Sequence, residues 1–196
     1  IIHSLIGASG VWLLCRRFIA TPFSLIAPVV FLFSGYLWAH YAFGAYILAL
    51  AWMPFIFWAY DCYIREPQKR WLILGGLLFS LQLLAGAPQL TYYFLLAFFF
   101  VALIYPFSVP PPAGLSRKQF WTRSILFFIT TTILGVIISS PQLVALIGVG
   151  GEIGRQTKLP LREVLPGTLA LRDYVSAFIG GTGQVFEDAE TTAYIG

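Results

Sequence analysis

Residues 18–60 read FIATPFSLIAPVVFLFSGYLWAHYAFGAYILALAWMPFIFWAY, and no Asp, Glu, Lys or Arg interrupts them. A bilayer-spanning helix takes roughly 20 apolar residues at a rise of about 1.5 Å each, so this stretch is long enough for two passes. Two more such runs follow, 71–115 with room for two passes and 124–151 with room for one. None alternates with period two, and backbone amides cannot stay unpaired in hydrocarbon, so helices are expected rather than a barrel. Composition agrees. The chain is 59% hydrophobic and 10% charged, whereas a soluble domain keeps about a quarter of its residues charged.

These runs predict an all-α fold, a polytopic transmembrane bundle of about six helices over residues 1–150. A first helix from Ile1 to Phe18 stops at Arg16 and Arg17. Thr21 and Pro22 read as N-cap and first-turn proline of a second helix that ends near His40. A third runs from Ala45 to Tyr63 with a Trp and Tyr belt, and delivers the chain to the polar loop 65–70. The fourth, Trp71 to Ala85, breaks at Gly86-Ala87-Pro88, because proline lacks the donor that a continuous helix needs there. The fifth spans Gln89 to Tyr105. Pro106 and Pro110 to Pro112 then form a stiff linker, and the sixth spans Ser124 to Leu146.

Six passes alternate sides, so the basic residues must follow that parity. Arg16, Arg17, Arg65, Lys69, Arg70, Arg117, Lys118 and Arg123 all fall on one side, which the positive-inside rule makes cytoplasmic. The remaining segment, 151–196, holds four basic and six acidic residues and is expected to be an extracytoplasmic loop. Within it, Thr168 would cap a short interfacial helix through Ile179, with Leu169, Tyr174, Val175 and Phe178 on one face. Cys15 and Cys62 lie beside basic clusters, where thiols stay reduced, and no disulfide framework is implied. The net charge of +4 follows from the cytoplasmic loops rather than from a nucleic-acid partner. Opening without Met inside an apolar helix, the sequence reads as an internal piece of a longer protein.

Soluble-enzyme motifs are missing: no Walker loop, dinucleotide fingerprint, paired CxxC, HExxH or GxSxG is present. Gly180-Gly181-Thr182-Gly183 has no following helix with Lys and reads as a loop. Gly75 and Gly76 sit inside a helix, where small residues let two helices approach closely. Polar side chains near the outer helix ends are the informative ones, since membrane depth is costly for them. His40 reads either as an imidazole bonded to a carbonyl or as a general base, metal ligand or pigment ligand. For Gln82, Gln89 and Gln142 the plain reading is bonding to carbonyls freed by the kinks. Glu152 and Arg155, three apart, form a solvated pair or hold a metal or sugar phosphate at a cavity mouth. Asp61, near Arg65, reads as a structural ion pair. A weak echo, Ala87-Pro88-Gln89-Leu90 and Ser140-Pro141-Gln142-Leu143, places two Pro-Gln-Leu tripeptides at outer helix ends.

The ordered elements Phe33-Ser34-Gly35-Tyr36-Leu37-Trp38-Ala39-His40, Ala51-Trp52-Met53-Pro54 and Gln82-Leu83-Leu84-Ala85-Gly86-Ala87-Pro88-Gln89 carry a family likeness. It continues in Leu165-Pro166, in Phe178-Ile179-Gly180-Gly181 and in the closing Tyr194-Ile195-Gly196. On these residues the chain resembles the YfhO-like bacterial membrane proteins, which are similar to the GT-C class of lipid-linked-sugar glycosyltransferases. One position departs: Ala87 stands where the family commonly has His. The resemblance implies an inner-membrane transferase that moves a sugar from a polyprenyl-phosphate carrier on the outer face, by direct displacement at the anomeric carbon. Its acidic base would sit in a first outer loop upstream of Ile1. His40, Gln89, Gln142, Glu152 and Arg155 would then contact acceptor, phosphate or a divalent cation that stabilises the leaving phosphate.

Two other classes stay open. One is a non-catalytic transmembrane subunit of a larger membrane complex, pigment-bearing or not, whose Trp, Tyr, Phe, His3 and His40 pack on cofactors or lipids. The other is a transporter, which the lack of intramembrane acids disfavours.

Overall fold

The structure, a computed structural model, describes residues 1–21, 23–41 and 43–150. Ile1–Val144 form one compact unit and Ala145–Gly196 a second, of which only the end of one helix is described. Segment 151–196, with its expected interfacial helix, therefore lies outside the described residues. Among those residues every regular element is helical: α1 (Ile2–Cys15), α2 (Ile26–Leu32), α3 (Gly35–Ala39), α4 (Gly44–Arg65), α5 (Lys69–Leu84), α6 (Pro88–Ser108) and α7 (Arg117–Gly150), with a 3₁₀ turn at Phe23–Leu25.

Three of these helices are long and apolar enough to cross a membrane: α4, α6 and the Arg117–Ala145 part of α7. At 22 residues, α4 spans about 33 Å, the thickness of a bilayer's hydrocarbon core. The outward faces of α6 and α7 present Leu96, Phe99, Phe100, Ile104, Leu126, Ile129, Ile133 and Ile137 as exposed side chains. A surface of contiguous large apolar groups is unfavourable in water and neutral in hydrocarbon.

Helix α4 is central, with α1, α5 and α6 packed on it. Its Ala49, Ala51, Ile56 and Ala59 are buried, and small side chains there let neighbouring backbones come close. The core is aromatic. Tyr60, Phe98 and Phe127 meet edge to face, Tyr60 and Phe98 at 5.7 Å and 89°, Phe98 and Phe127 at 6.1 Å and 76°. Such geometry sets the positive ring edge against a negative face and adds about 0.5–1.5 kcal/mol per pair to the burial. Between α5 and α7 runs a glycine seam. A Cβ on Gly75 would come within 2.6 Å of Thr131 Oγ1 and 2.7 Å of Phe127 Cζ, one on Gly76 within 2.6 Å of Leu134 Cβ, and one on Gly135 would strike the Phe79 ring.

Helix ends depart from the expected layout in three places. The second helix is not continuous from Thr21 to His40. It breaks at Ser34, whose backbone is extended and whose Oγ accepts from Leu37 N at 3.4 Å, so Ser34 caps a new helix and Gly35 weakens any continuation. Pro28 is tolerated because it lies in the first turn of α2, where its missing donor has no partner to lose. Helix α6 does not stop at Tyr105 but runs through Pro106. That proline deprives the Ala102 carbonyl of its amide, and Ser124 Oγ of α7 donates to this carbonyl at 2.6 Å, while the Tyr60 hydroxyl pairs with Ser124 Oγ at 2.6 Å. The last helix starts at Arg117 rather than Ser124, opened by a capping box: Ser116 Oγ accepts from Gln119 N and Gln119 Oε1 from Ser116 N.

The two Pro-Gln-Leu tripeptides also differ. Pro88 opens α6 at its first position, after a turn in which Gly86 has φ +79°. Pro141 sits inside α7, and Ser140 Oγ donates to the Ile137 carbonyl that this proline leaves without an amide, at 2.8 Å.

Candidate functional site

Two polar clusters stand at opposite ends of the bundle. At the end remote from the basic residues, short α3 carries Tyr36 and His40 one turn apart, so their rings stack at 4.2 Å. His40 Nδ1 lies 3.0 Å from the Tyr36 carbonyl, which only accepts, so Nδ1 is the donor there. The chain then turns into α4, and Tyr46 in its first turn brings its ring to 5.3 Å from that of His40. Its hydroxyl donates to Gln89 Oε1 at 3.3 Å, and Gln89 Nε2 donates to the Tyr93 hydroxyl at 3.3 Å. Gln89 reaches this place because Gly86 reverses the chain and Pro88 starts α6 immediately before it.

His40 and Gln89 are thus brought together through Tyr46, His40 from the end of α3 and the other two from the first turns of α4 and α6. His40 and Tyr46 are half-buried, while Gln89 and Tyr93 are exposed, so the cluster is open on one side. It offers an imidazole, a carboxamide held between two phenols, and aromatic faces. That set suits hydroxyl-rich ligands with an apolar face. It contains no carboxylate, since Asp61 and Glu66 are the acids of residues 1–150 and both lie toward the basic end.

Beside it, Leu37, Trp38 and Tyr41 face an apolar groove of about 340 Å³ whose other wall is Ile1, Ser4 and Leu5 of the first helix. Helix α3 therefore divides a polar, aromatic cluster from a greasy cleft. No family model, curated protein or solved structure matches the chain. The site must be argued from its own geometry.

Other expected site residues fare differently. Gln142 is exposed on α7, and among the described residues no hydrogen bond links it to His40 or Gln89. Glu152 and Arg155 lie outside the described residues, and among those described no group of three His, Cys, Asp or Glu side chains could hold a metal. Gln82 does not bond to carbonyls freed by the break after α5. Those of Leu81, Gln82 and Leu83 are taken by the amides of Ala85 and Gly86, and the Gln82 side chain is fully buried with neither amide atom partnered among the described residues.

At the basic end the centre is Asp61, buried at 2% exposure. Its carboxylate accepts from Arg17 Nε at 2.8 Å, from Arg65 Nε at 2.9 and 3.1 Å, and from the Tyr105 hydroxyl at 3.1 Å. One carboxylate thus ties α1, α4 and α6. Arg117, farther along, donates to the carbonyls of Pro106, Phe107 and Val109, which the donor-less Pro110 to Pro112 leave open at the end of α6. Sequence reasoning found the Asp61 and Arg65 pair from its spacing of four. It missed Arg17 and Tyr105, which are 44 residues away in opposite directions. It also missed Tyr46 and Tyr93, although Gln89 and Tyr93 share the helical spacing that would have suggested them.

Proposed function

We propose that this chain is the membrane-embedded part of a GT-C-like glycosyltransferase that uses a polyprenyl-phosphate sugar at the face of a bacterial inner membrane opposite its basic residues. The observation that carries the reading is the joining of His40 and Gln89 through Tyr46 beside an apolar groove. An isoprenoid tail needs a greasy cleft and a sugar needs amide, imidazole and aromatic faces; the two kinds of surface adjoin across α3. In this reading α1, the 23–39 segment and α5 complete six passes with α4, α6 and α7, and segment 151–196, which carries Glu152 and Arg155, is extracytoplasmic.

Among the chain's own residues, the ring of Tyr46 and the stacked Tyr36 and His40 orient a sugar, while Gln89 bonds its hydroxyls and His40 fixes the position of the acceptor or takes part in its proton transfer. A divalent cation, when bound, would stabilise the leaving phosphate. The test is transfer by the full-length protein in proteoliposomes supplied with polyprenyl-phosphate sugars. His40→Ala and Gln89→Ala should each lower turnover, the former roughly 10²-fold as expected for a proton-transfer or positioning group, with unchanged thermal stability. Undiminished transfer in His40→Ala would remove the cluster from the reaction. The alternative, a non-catalytic subunit of a larger complex, rests on the exposed apolar faces of α6 and α7, and predicts a stoichiometric partner on purification in mild detergent.

A further inference from the structure

From the basic end we infer that the cleft between α1 and α6 is a binding site for an anionic phospholipid, its phosphate on Arg17 and Arg65 and one acyl chain lying against α4. This inference rests on the membrane reading but not on sugar transfer. The cleft holds about 160 Å³, walled by Leu14 of α1 and Phe18 just beyond it and by Val101 and Tyr105 of α6, with Phe57, Tyr60 and Asp61 beneath. At the roughly 30 Å³ of one water-sized group, it accepts about five methylenes, the first part of a fatty chain.

The two arginines bonded to Asp61, which lines the cleft, fix the headgroup chemistry. Arg17 and Arg65 flank a single buried carboxylate, so the pair carries one positive charge in excess, and both guanidinium side chains remain about one-third exposed, at 36% and 38%. Planar guanidinium forks match phosphate oxygens. Arg17 and Arg65 are also held in place by Asp61 before any ligand arrives, so little side-chain entropy is lost on binding. A zwitterionic lipid offers the same chain with its charge cancelled, and free phosphate offers the head without the chain. The site answers only to both together.

Native mass spectrometry of the full chain, stripped of lipid in detergent and titrated with phosphatidylglycerol, phosphatidylcholine of the same chains, or glycerol phosphate, reads this directly. Phosphatidylglycerol should half-saturate one site at about tenfold lower concentration than phosphatidylcholine. Arg17→Gln should erase that preference, Lys118→Gln should not, and Val101→Trp, which fills the cleft without touching a charge, should weaken both lipids. Should Arg17→Gln fail to fold, Val101→Trp and the two lipids decide. Equal affinity for the two lipids, undiminished binding of both lipids by Val101→Trp, or competition by glycerol phosphate at equal concentration would each overturn the assignment. Solubility of the stripped chain without detergent would instead sink the membrane reading, and the two failures look different.

Discussion

Replacing Asp61 by Asn tests the junction of α1, α4 and α6 with almost no change of shape. Oδ1 accepts from Arg65 and from the Tyr105 hydroxyl, and an Asn carbonyl in its place keeps both contacts. Oδ2 accepts from Arg17 Nε at 2.8 Å and takes the longer, 3.1 Å arm of the forked Arg65 bond, and there the Asn would present an NH₂, setting donor against donor while the shorter Arg65 arm stays. One charge-assisted hydrogen bond is lost, about 1.5–3 kcal/mol. The loss of charge adds less than the 3–5 kcal/mol of a fully buried broken pair, because both arginines are partly exposed and water can take up part of their charge. The expected destabilisation is about 2–3 kcal/mol, a fall in melting midpoint of roughly 4–12 °C for a chain of this size. Cys62 supplies the reporter: it adjoins Asp61 and is 8% exposed, so in a Cys15→Ser background its labelling by a thiol-reactive dye on heating follows the opening of this region. If Asp61→Asn labels at the wild-type rate and midpoint, the carboxylate does not hold these helices together.

Ser124→Ala should cost about 1–3 kcal/mol by stranding the buried Ala102 carbonyl, and much less in a Pro106→Ala background, where the backbone amide returns; additive losses in that double-mutant cycle would refute the kink argument. Gly75→Val should lower the melting midpoint by at least the equivalent of 1–3 kcal/mol, roughly the cost of overpacking, since Thr131 and Phe127 occupy the space. Gln82→Met, of similar volume, should leave stability unchanged or raise it, because it removes an unpartnered buried amide; a large loss in the same melting assay would mean that the amide has a partner.

The charge-free runs made the helices legible, because burying a charged group in hydrocarbon is costly enough to leave a mark on composition alone. Boundaries set by local chemistry were legible too: the break at Gly86 to Pro88 and the spacing of Asp61 and Arg65. What escaped were effects carried by distant residues. Pro106 reads as a helix stop until Ser124, from another helix, supplies the missing donor. The last helix is expected only from Ser124, where the charge-free run begins, although the Ser116 and Gln119 capping box that opens it at Arg117 is present in the sequence. In the candidate site, His40 and Gln89 were each chosen as isolated polar groups at helix ends. Their meeting through Tyr46 depends on how three chain reversals pack, which no single stretch encodes.

Helix α3 has only five residues, fewer than a helix needs to persist by itself, and it is held by the Ser34 cap and by its neighbours. It is also the support on which His40 is mounted. On the proposed function this short helix would meet the sugar, so seating a guest and firming up the mount become one event. Amide exchange at 35–40 should then slow on loading far more than exchange in α4, making this small helix a readout of occupancy.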